Sequence, residues 1–138
     1  MPFRNIENVV LVGAGNVAAH LGLALASQGI RIVEVCNRTP GTGQDLADRL
    51  GATFIADIMA ITKAADLYIL AVSDSAIATL AGSMHLNDKM VVHTSGTTGM
   101  NVLANISENI GVFYPLQTFS PGRATMFRGI PVCLESNS

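Results

Sequence analysis

Residues 8–39 run NVVLVGAGNVAAHLGLALASQGIRIVEVCNRT, and their pattern predicts a strand, a helix and a second strand. Residues 8–12 form a short, continuous apolar run rich in β-branched side chains, which is typical of a strand buried on both faces. Apolar residues then recur at helical spacing over 18–25, and Gly29 stands where a helix C-terminal glycine belongs. A second strand is predicted at 31–36. Strand, helix and strand in this order indicate a right-handed crossover between parallel strands.

The same alternation of strands and helices continues along the chain. It predicts an α/β fold with a doubly wound, mainly parallel sheet between two helical layers, three layers in all. Residues 115–129 contain two prolines and two glycines and form the longest loop-like segment. Further helices are predicted at 44–50, 58–62, 75–83 and 99–105, and further strands at 53–55, 67–72, 90–94, 112–114 and 130–134.

Length and composition restrict the classes of protein. The 138 residues suit one domain, 1–138, and the 49% hydrophobic content excludes a disordered chain. Charged residues make up 13%, about half the roughly 25% usual in soluble domains. With 8 basic against 10 acidic residues and no basic run, no nucleic-acid partner is expected. The two cysteines form no disulfide framework, which favours a reducing compartment and a cytoplasmic location.

Residues 9–30 contain no Asp, Glu, Lys or Arg, so hydropathy alone would allow a membrane span there. Asn16 and His20 interrupt the segment, and glycines punctuate it where a strand turns into a helix. A secretion signal is the alternative, because Arg4 precedes the apolar stretch and residues 24–26 resemble a cleavage site. Glu7 and the glycine turn suit an export signal poorly. We therefore expect no membrane partner.

The central motif is GAGNVA at residues 13–18, a GxGxxA sequence that follows a predicted strand and opens a predicted helix. That context makes it a dinucleotide-binding fingerprint. Gly13 permits the tight turn, Gly15 lets a pyrophosphate approach the backbone, and Ala18 allows close packing of helix and strand. The N–H groups of the helix that begins at Asn16 would face the phosphates. The alternative is that these small residues serve helix packing alone.

The end of the second strand indicates which nicotinamide cofactor binds. NAD sites place an acid about 20 residues beyond the glycine turn, but here Cys36 is followed by Asn37, Arg38 and Thr39. Arg38 can hold a 2′-phosphate bidentately, and its two neighbours can add neutral hydrogen bonds. The sequence therefore predicts NADP(H) over NAD. Otherwise Arg38 is a solvated loop residue. A third hypothesis is a site for another nucleotide or S-adenosylmethionine. An acid at the end of the second strand would have supported it, and the sequence has none there.

Ligands in an open parallel sheet bind beyond the carboxyl ends of the strands. Ala71, Val72 and Ser73 come after the fourth strand and are placed to line the nicotinamide side of the cofactor. Asp74 either contacts a ligand or caps the following helix, since Asp is a favoured N-cap.

The fifth and sixth strands end in polar segments that supply weak catalytic candidates. His93 is either an acid or base or a strand-end histidine held by hydrogen bonds. Thr94, Ser95 and the Gly96 backbone are candidates for contacts with the substrate or the nicotinamide. Gln117 could reach a reacting carbonyl or imine. Tyr114 could reach the same carbonyl or imine. The alternative is that the aromatic residues of this loop pack on the domain edge. The scattered histidines suggest no metal site.

Several segments together resemble one family. They are VVLVGAGNVAAHLGLAL at the N-terminus, NRT after the second strand, DLYILAVSDSAI around the fourth, VVHTSGT at the fifth and GVFYPLQTFS near the end. The chain resembles the Rossmann-like, NADP-oxidoreductase-type domain related to pyrroline-5-carboxylate reductases, deazaflavin-dependent NADP reductases and 6-phosphogluconate-dehydrogenase-like proteins. The likeness is greatest to a subgroup in which this domain precedes a helical domain of uncharacterised function.

The resemblance implies a Rossmann-type NADP(H)-binding domain of an oxidoreductase that moves hydride between nicotinamide and a small carbonyl or imine substrate. It also implies a helical domain of roughly a hundred residues, missing from this chain, that closes the cleft and often forms the dimer. A redox-sensing or scaffolding domain that binds the dinucleotide without turnover is the alternative. The site residues implied are Gly13, Ala14, Gly15, Asn16 and Val17 at the pyrophosphate, Asn37, Arg38 and Thr39 at the adenosine phosphate, Ala71, Val72 and Ser73 beside the nicotinamide ribose, and His93 to Gly96 near the substrate.

Overall fold

A seven-stranded sheet runs through the part of the chain that a computed structural model describes, residues 6–95, 98–115 and 132–136, with 113–115 and 132–136 described as backbone. The strands are β1 (Asn8–Val12), β2 (Arg31–Cys36), β3 (Thr53–Ile55), β4 (Leu67–Leu70), β5 (Asn87–His93), β6 (Ser107–Pro115) and β7 (Val132–Ser136). The helices are α1 (Asn16–Ser27), α2 (Pro40–Leu50) and α3 (Asp74–Ala81), with short 3₁₀ helices at Ile58–Ala60 and Met100–Leu103.

The strand order in the sheet is β3-β2-β1-β4-β5-β6-β7. Neighbouring strands from β3 to β6 are parallel, and β7 alone pairs antiparallel with β6. The order reverses direction at β1, since β2 and β3 lie on one side of it and β4 to β6 on the other. The predicted doubly wound, mainly parallel sheet is therefore confirmed, and the chain direction places the carboxyl ends of the parallel strands at one edge.

Two hydrophobic clusters cover the two faces of the sheet. On one face, α1 and α2 pack on the central strands through residues such as Leu21 and Leu46. On the other face, α3 packs through Ile77 together with Leu103 of the second 3₁₀ helix. Because strands buried on both faces need apolar residues on both sides, this arrangement accounts for much of the apolar composition.

A bulge interrupts the pairing of β1 with β2. The register shifts after Val9, so that Glu34 rather than Val33 pairs with Val10. The shift lets the Glu34 carboxylate accept a hydrogen bond from the Thr62 backbone N–H at 2.8 Å. This bond ties the middle of β2 to the loop that leads into β4.

Tyr68 is completely buried in β4, and its hydroxyl is satisfied on both sides. It donates to the Thr62 carbonyl oxygen at 2.6 Å and accepts from the Ala65 N–H at 3.2 Å. Burial is the main cause that raises the pKa of this phenol. The Ala65 bond lowers the pKa, and the charges of Glu34 and Asp66 raise it.

The first three strands have the predicted bounds, whereas several later elements differ. Helix α2 begins at Pro40 rather than at residue 44, because proline suits the first helical position and offsets the two glycines that follow. Strand β6 begins at Ser107 rather than at 112, although its first three residues are polar. The helix predicted at 99–105 is a single 3₁₀ segment, Met100–Leu103.

Candidate functional site

The glycine turn after β1 is held between the two neighbouring strands. The Gly13 N–H donates to the Cys36 carbonyl oxygen of β2 at 2.8 Å, and the Ala71 N–H donates to the Val12 carbonyl oxygen at 2.8 Å. Gly13 has φ +116°, and a Cβ there would stand 2.3 Å from the Ala71 carbonyl oxygen. Neither the backbone angle nor the space admits a side chain, so Gly13 is required for this turn.

Gly15 has a different role, because its surroundings are open. It is the N-cap of α1 in an extended conformation, and a Cβ built on it would meet nothing within 4 Å. No side chain of residue 15 caps the helix, and the first turn of α1 contains no acid. Gly15, Asn16 and Val17 are exposed. An uncapped helix N-terminus with free approach and no acid in its first turn has the features of an anion site, so these residues fit a pyrophosphate.

The loop after β2 is shaped by Asn37. Its side-chain amide donates to the Thr39 carbonyl oxygen at 3.0 Å and to the Thr42 hydroxyl at 3.1 Å. Both amide hydrogens are thus used, and they join the loop to the first turn of α2, where Thr42 is a partner that the sequence pattern did not indicate. Gly43 lets α2 lie close to Asn37 at the end of β2, since a Cβ at residue 43 would lie 2.9 Å from the Cβ of Asn37.

Arg38 and Thr39 remain exposed at this loop. Arg38 makes no ion pair with any residue that the structure describes, and the Thr39 side chain does not cap α2 although Thr39 is its N-cap residue. The first turn of α2 contains no acid. The loop therefore presents a guanidinium, a hydroxyl and a helix N-terminus to solvent, which suits a phosphate group.

Cys36 lies beneath this loop at the end of β2 and is 3% exposed. Burial, followed by the nearby charges of Glu34 and Asp57, raises the pKa of its thiol to about 11. The side chain is consequently a neutral packing group near neutral pH.

The end of β4 supplies a helix cap. Ser73 is the N-cap of α3, and its hydroxyl oxygen accepts from the Ala76 N–H at 3.3 Å. The interpretation of Asp74 as the cap is wrong, because the helix starts one residue earlier than expected and Asp74 is already in its first turn. Ala71 is buried and Val72 half-buried, and both lie next to Gly13.

His93 ends β5 and is completely buried. Its Nδ1 accepts from the Ser95 N–H at 3.0 Å, and its Nε2 lies 3.1 Å from the Gly99 carbonyl oxygen. Both ring nitrogens therefore have partners within the loop, and an acid or base role would require one bond to break. Ser95 is half-buried. Gly96 and Gln117 lie outside the described residues, as does the side chain of Tyr114.

The sheet brings the predicted segments together at its carboxyl edge. Val12 pairs with Cys36 on one side and with Leu70 on the other, and Leu70 pairs with His93. The ends of β2, β1, β4 and β5 therefore lie in a row. With strands about 4.8 Å apart, this row spans about 14 Å.

Two classes of site are not found within the described ranges. Residues 6–95, 98–115 and 132–136 contain no group of three or more His, Cys, Asp or Glu side chains that could hold a metal ion. No helix in the same part of the chain is long and apolar enough to cross a membrane.

Known proteins resemble this chain in sequence and in fold. A family model described as a Rossmann-like domain matches residues 4–118. No curated protein matches the sequence.

Solved structures cover nearly the whole chain. A candidate NADP oxidoreductase from Bacteroides fragilis is 39% identical with a TM-score of 0.86, over 96% of this chain and 52% of that one. A Thermotoga maritima protein is 21% identical with a TM-score of 0.72, over 94% and 49%. A pyrroline-5-carboxylate reductase from Coxiella burnetii is 18% identical with a TM-score of 0.75, over 96% and 50%. The chain thus spans about half the length of these proteins.

Proposed function

This chain belongs to the family of Rossmann-like domains, and from that premise we propose that it is the NADP(H)-binding domain of an oxidoreductase. One observation carries the proposal: an open, uncapped helix N-terminus at Gly15 lies one strand away from the exposed guanidinium of Arg38, which makes no ion pair with the residues that the structure describes. The first feature suits a pyrophosphate and the second a further phosphate. NADP(H) carries both groups.

The choice of NADP(H) over NAD(H) rests on charge at the end of β2. Residues 36–39 contain no acid to accept hydrogen bonds from the ribose hydroxyls, and a carboxylate there would repel a 2′-phosphate. Asn37 holds the loop, while Arg38 and Thr39 remain to bind the phosphate. The name of the Bacteroides fragilis protein, a candidate NADP oxidoreductase, supports the same cofactor.

The proposed reaction is hydride transfer to or from a small carbonyl or imine compound. When bound, the reduced nicotinamide supplies the hydride, and the substrate gains this hydride at carbon and a proton at oxygen or nitrogen. The chain contributes position: Ala71, Val72 and Ser73 would line the nicotinamide ribose, and the segment after His93 would lie toward the substrate. The name of the similar pyrroline-5-carboxylate reductase supports a substrate of this class.

We also propose that the working protein has a second part, which covers the carboxyl edge of the sheet. The similar structures are about twice the length of this chain, which supports a further helical domain or a homodimer partner over the carboxyl edge of the sheet. A cover of this kind would exclude water from the reacting atoms. The protein would work in the cytoplasm on a small-molecule substrate.

Titration with NADPH and NADH tests the cofactor assignment. Nicotinamide fluorescence should change on addition of the chain, and NADPH should bind at least about tenfold more tightly than NADH, since the extra phosphate gains a charge-assisted contact. Absence of binding by either nucleotide at millimolar concentration would refute the proposal.

A second candidate is a redox-sensing or scaffolding domain that binds the dinucleotide without turnover. It is favoured by His93, whose two ring nitrogens are already hydrogen-bonded within the loop and offer no free proton. Turnover assays of the full-length gene product with imines, aldehydes and 2-keto acids separate the two candidates. Steady oxidation of NADPH would exclude the sensor, and NADPH binding without oxidation of any substrate would favour it.

A further inference from the structure

The His93 imidazole is a polar ring in a completely buried position at the end of β5. It accepts from the Ser95 N–H at 3.0 Å and faces the Gly99 carbonyl oxygen at 3.1 Å. The Ser95 N–H and the Gly99 carbonyl are thereby joined to one side chain. A buried polar ring is tolerated only when such partners satisfy it.

The two bonds together define which ring nitrogen donates and which accepts. A carbonyl oxygen can only accept, so Nε2 must carry the hydrogen, and a backbone N–H can only donate, so Nδ1 must present its lone pair. The hydrogen therefore lies on Nε2, and Nδ1 is the acceptor. Neither bond can be kept if the hydrogen moves to Nδ1.

His93 lies on the side of the glycine turn opposite to Arg38. His93 pairs with Leu70, and Leu70 pairs with Val12, so His93 is two strands or about 10 Å from the turn. If the adenosine phosphate lies at Arg38 and the pyrophosphate at Gly15, an extended dinucleotide continues over β4 toward β5. Its nicotinamide end then reaches the end of β5, where Ser95 and Gly99 bond to His93.

We propose that His93 is a positioning residue for the nicotinamide end of the cofactor, which acts by joining the Ser95 N–H to the Gly99 carbonyl. The proposal rests on the proposed function, because it needs a dinucleotide bound across the carboxyl edge. It assigns to His93 no proton transfer and no contact with the adenosine half. Loss of the imidazole should therefore weaken one half of the binding site and leave the other unchanged.

Two substitutions each preserve one bond. In His93→Asn the side-chain oxygen can still accept from Ser95, and in His93→Gln the side-chain NH₂ can still donate to Gly99. His93→Leu removes both bonds while filling the space. His85→Asn is the matched control, since His85 is exposed and lies before β5. Circular dichroism and urea unfolding identify the variants that fold.

The ligands are NADPH and adenosine 2′,5′-bisphosphate, which is the adenosine half without nicotinamide. For each folded variant of His93, we expect affinity for the bisphosphate within twofold of the wild type. We expect NADPH affinity to fall about fivefold for each single-bond variant and further for His93→Leu, since a net hydrogen bond contributes about 1 kcal/mol. The His85→Asn control should bind both ligands as the wild type does.

A purely structural role predicts a different result. It would weaken both ligands equally or neither, and either outcome in folded variants overturns the proposal. A ¹⁵N spectrum of the imidazole provides a readout that needs no ligand: it should show the Nε2–H tautomer, and a proton on Nδ1 would also overturn the proposal. If the wild-type chain binds neither ligand, the proposed function itself fails. If the wild type binds both ligands and the His93 variants bind them equally well, only the role proposed for His93 fails.

Discussion

Replacing Gly13 and Gly15 separately by alanine should separate folding from binding at the turn after β1. In Gly13→Ala the new Cβ would stand 2.3 Å from the Ala71 carbonyl oxygen, at a φ of +116°. The backbone angle costs about 1–2 kcal/mol, and relief of the clash by shifting the strands costs a similar amount. We expect the free energy of unfolding to fall by about 3 kcal/mol and the Tm by roughly 10 °C.

Gly15→Ala should leave the fold almost unchanged. Its φ of −79° suits alanine, and the Cβ meets nothing within 4 Å. Alanine restricts the unfolded chain, which stabilises by about 0.4–1 kcal/mol, but it is a poorer N-cap than glycine by a similar amount. The two effects nearly cancel. The methyl group would nevertheless occupy the space through which a pyrophosphate approaches, so NADPH affinity should fall by at least about tenfold.

Urea unfolding and NADPH fluorescence titration of the same two preparations check this contrast. Destabilisation of Gly15→Ala as large as that of Gly13→Ala would refute the packing argument. Wild-type NADPH affinity in Gly15→Ala would show that phosphate does not approach the backbone there.

Three further outcomes follow from other side chains. Arg38→Ala should bind NADPH about tenfold more weakly, while Arg38→Lys loses less and NADH binding changes little; equal losses for both nucleotides in a titration would contradict the phosphate assignment. Because folding raises the pKa of the Cys36 thiol from 9.0 to about 11, the unfolded chain loses this proton first and stability falls as pH rises from 9 to 11. Urea unfolding at pH 8 and pH 10 measures this fall in the free energy of unfolding. The fall should be smaller in Cys36→Ala than in the wild type, by at most about 1.4 kcal/mol per pH unit. An equal fall in both proteins would contradict the raised pKa of Cys36. Tyr68→Phe should cost about 1–3 kcal/mol in urea unfolding, because it leaves the Ala65 N–H and the Thr62 carbonyl without their buried partner, and an unchanged midpoint would contradict that role.

The beginning of the fold could be predicted from the sequence because its signals are local. The strands at 8–12, 31–36 and 53–55 have the predicted bounds, and the glycine turn lies where the GxGxxA spacing indicates. Continuous apolar runs bounded by glycine or polar residues leave little choice of element there. The predicted end of β2 likewise lies beside the turn, as parallel pairing requires.

Later differences depend on contacts that no local pattern contains. Strand β6 extends back to Ser107 because its hydroxyl bonds the carbonyl oxygens of Asn87 and Lys89 across the sheet. The partners of His93 are backbone groups two and six residues further along, which residue type alone does not reveal. The bonds of the Asn37 amide to Thr39 and Thr42 are equally absent from any local sequence pattern.

A crystal structure of this chain grown with NADPH would show directly whether the dinucleotide lies across the carboxyl edge of the sheet. We expect the pyrophosphate within hydrogen-bonding distance of the backbone N–H groups of Gly15, Asn16 or Val17, with the 2′-phosphate beside Arg38 and the nicotinamide over the end of β5. Nucleotide bound away from the carboxyl edge of the sheet, or with its adenosine toward His93, would contradict the account.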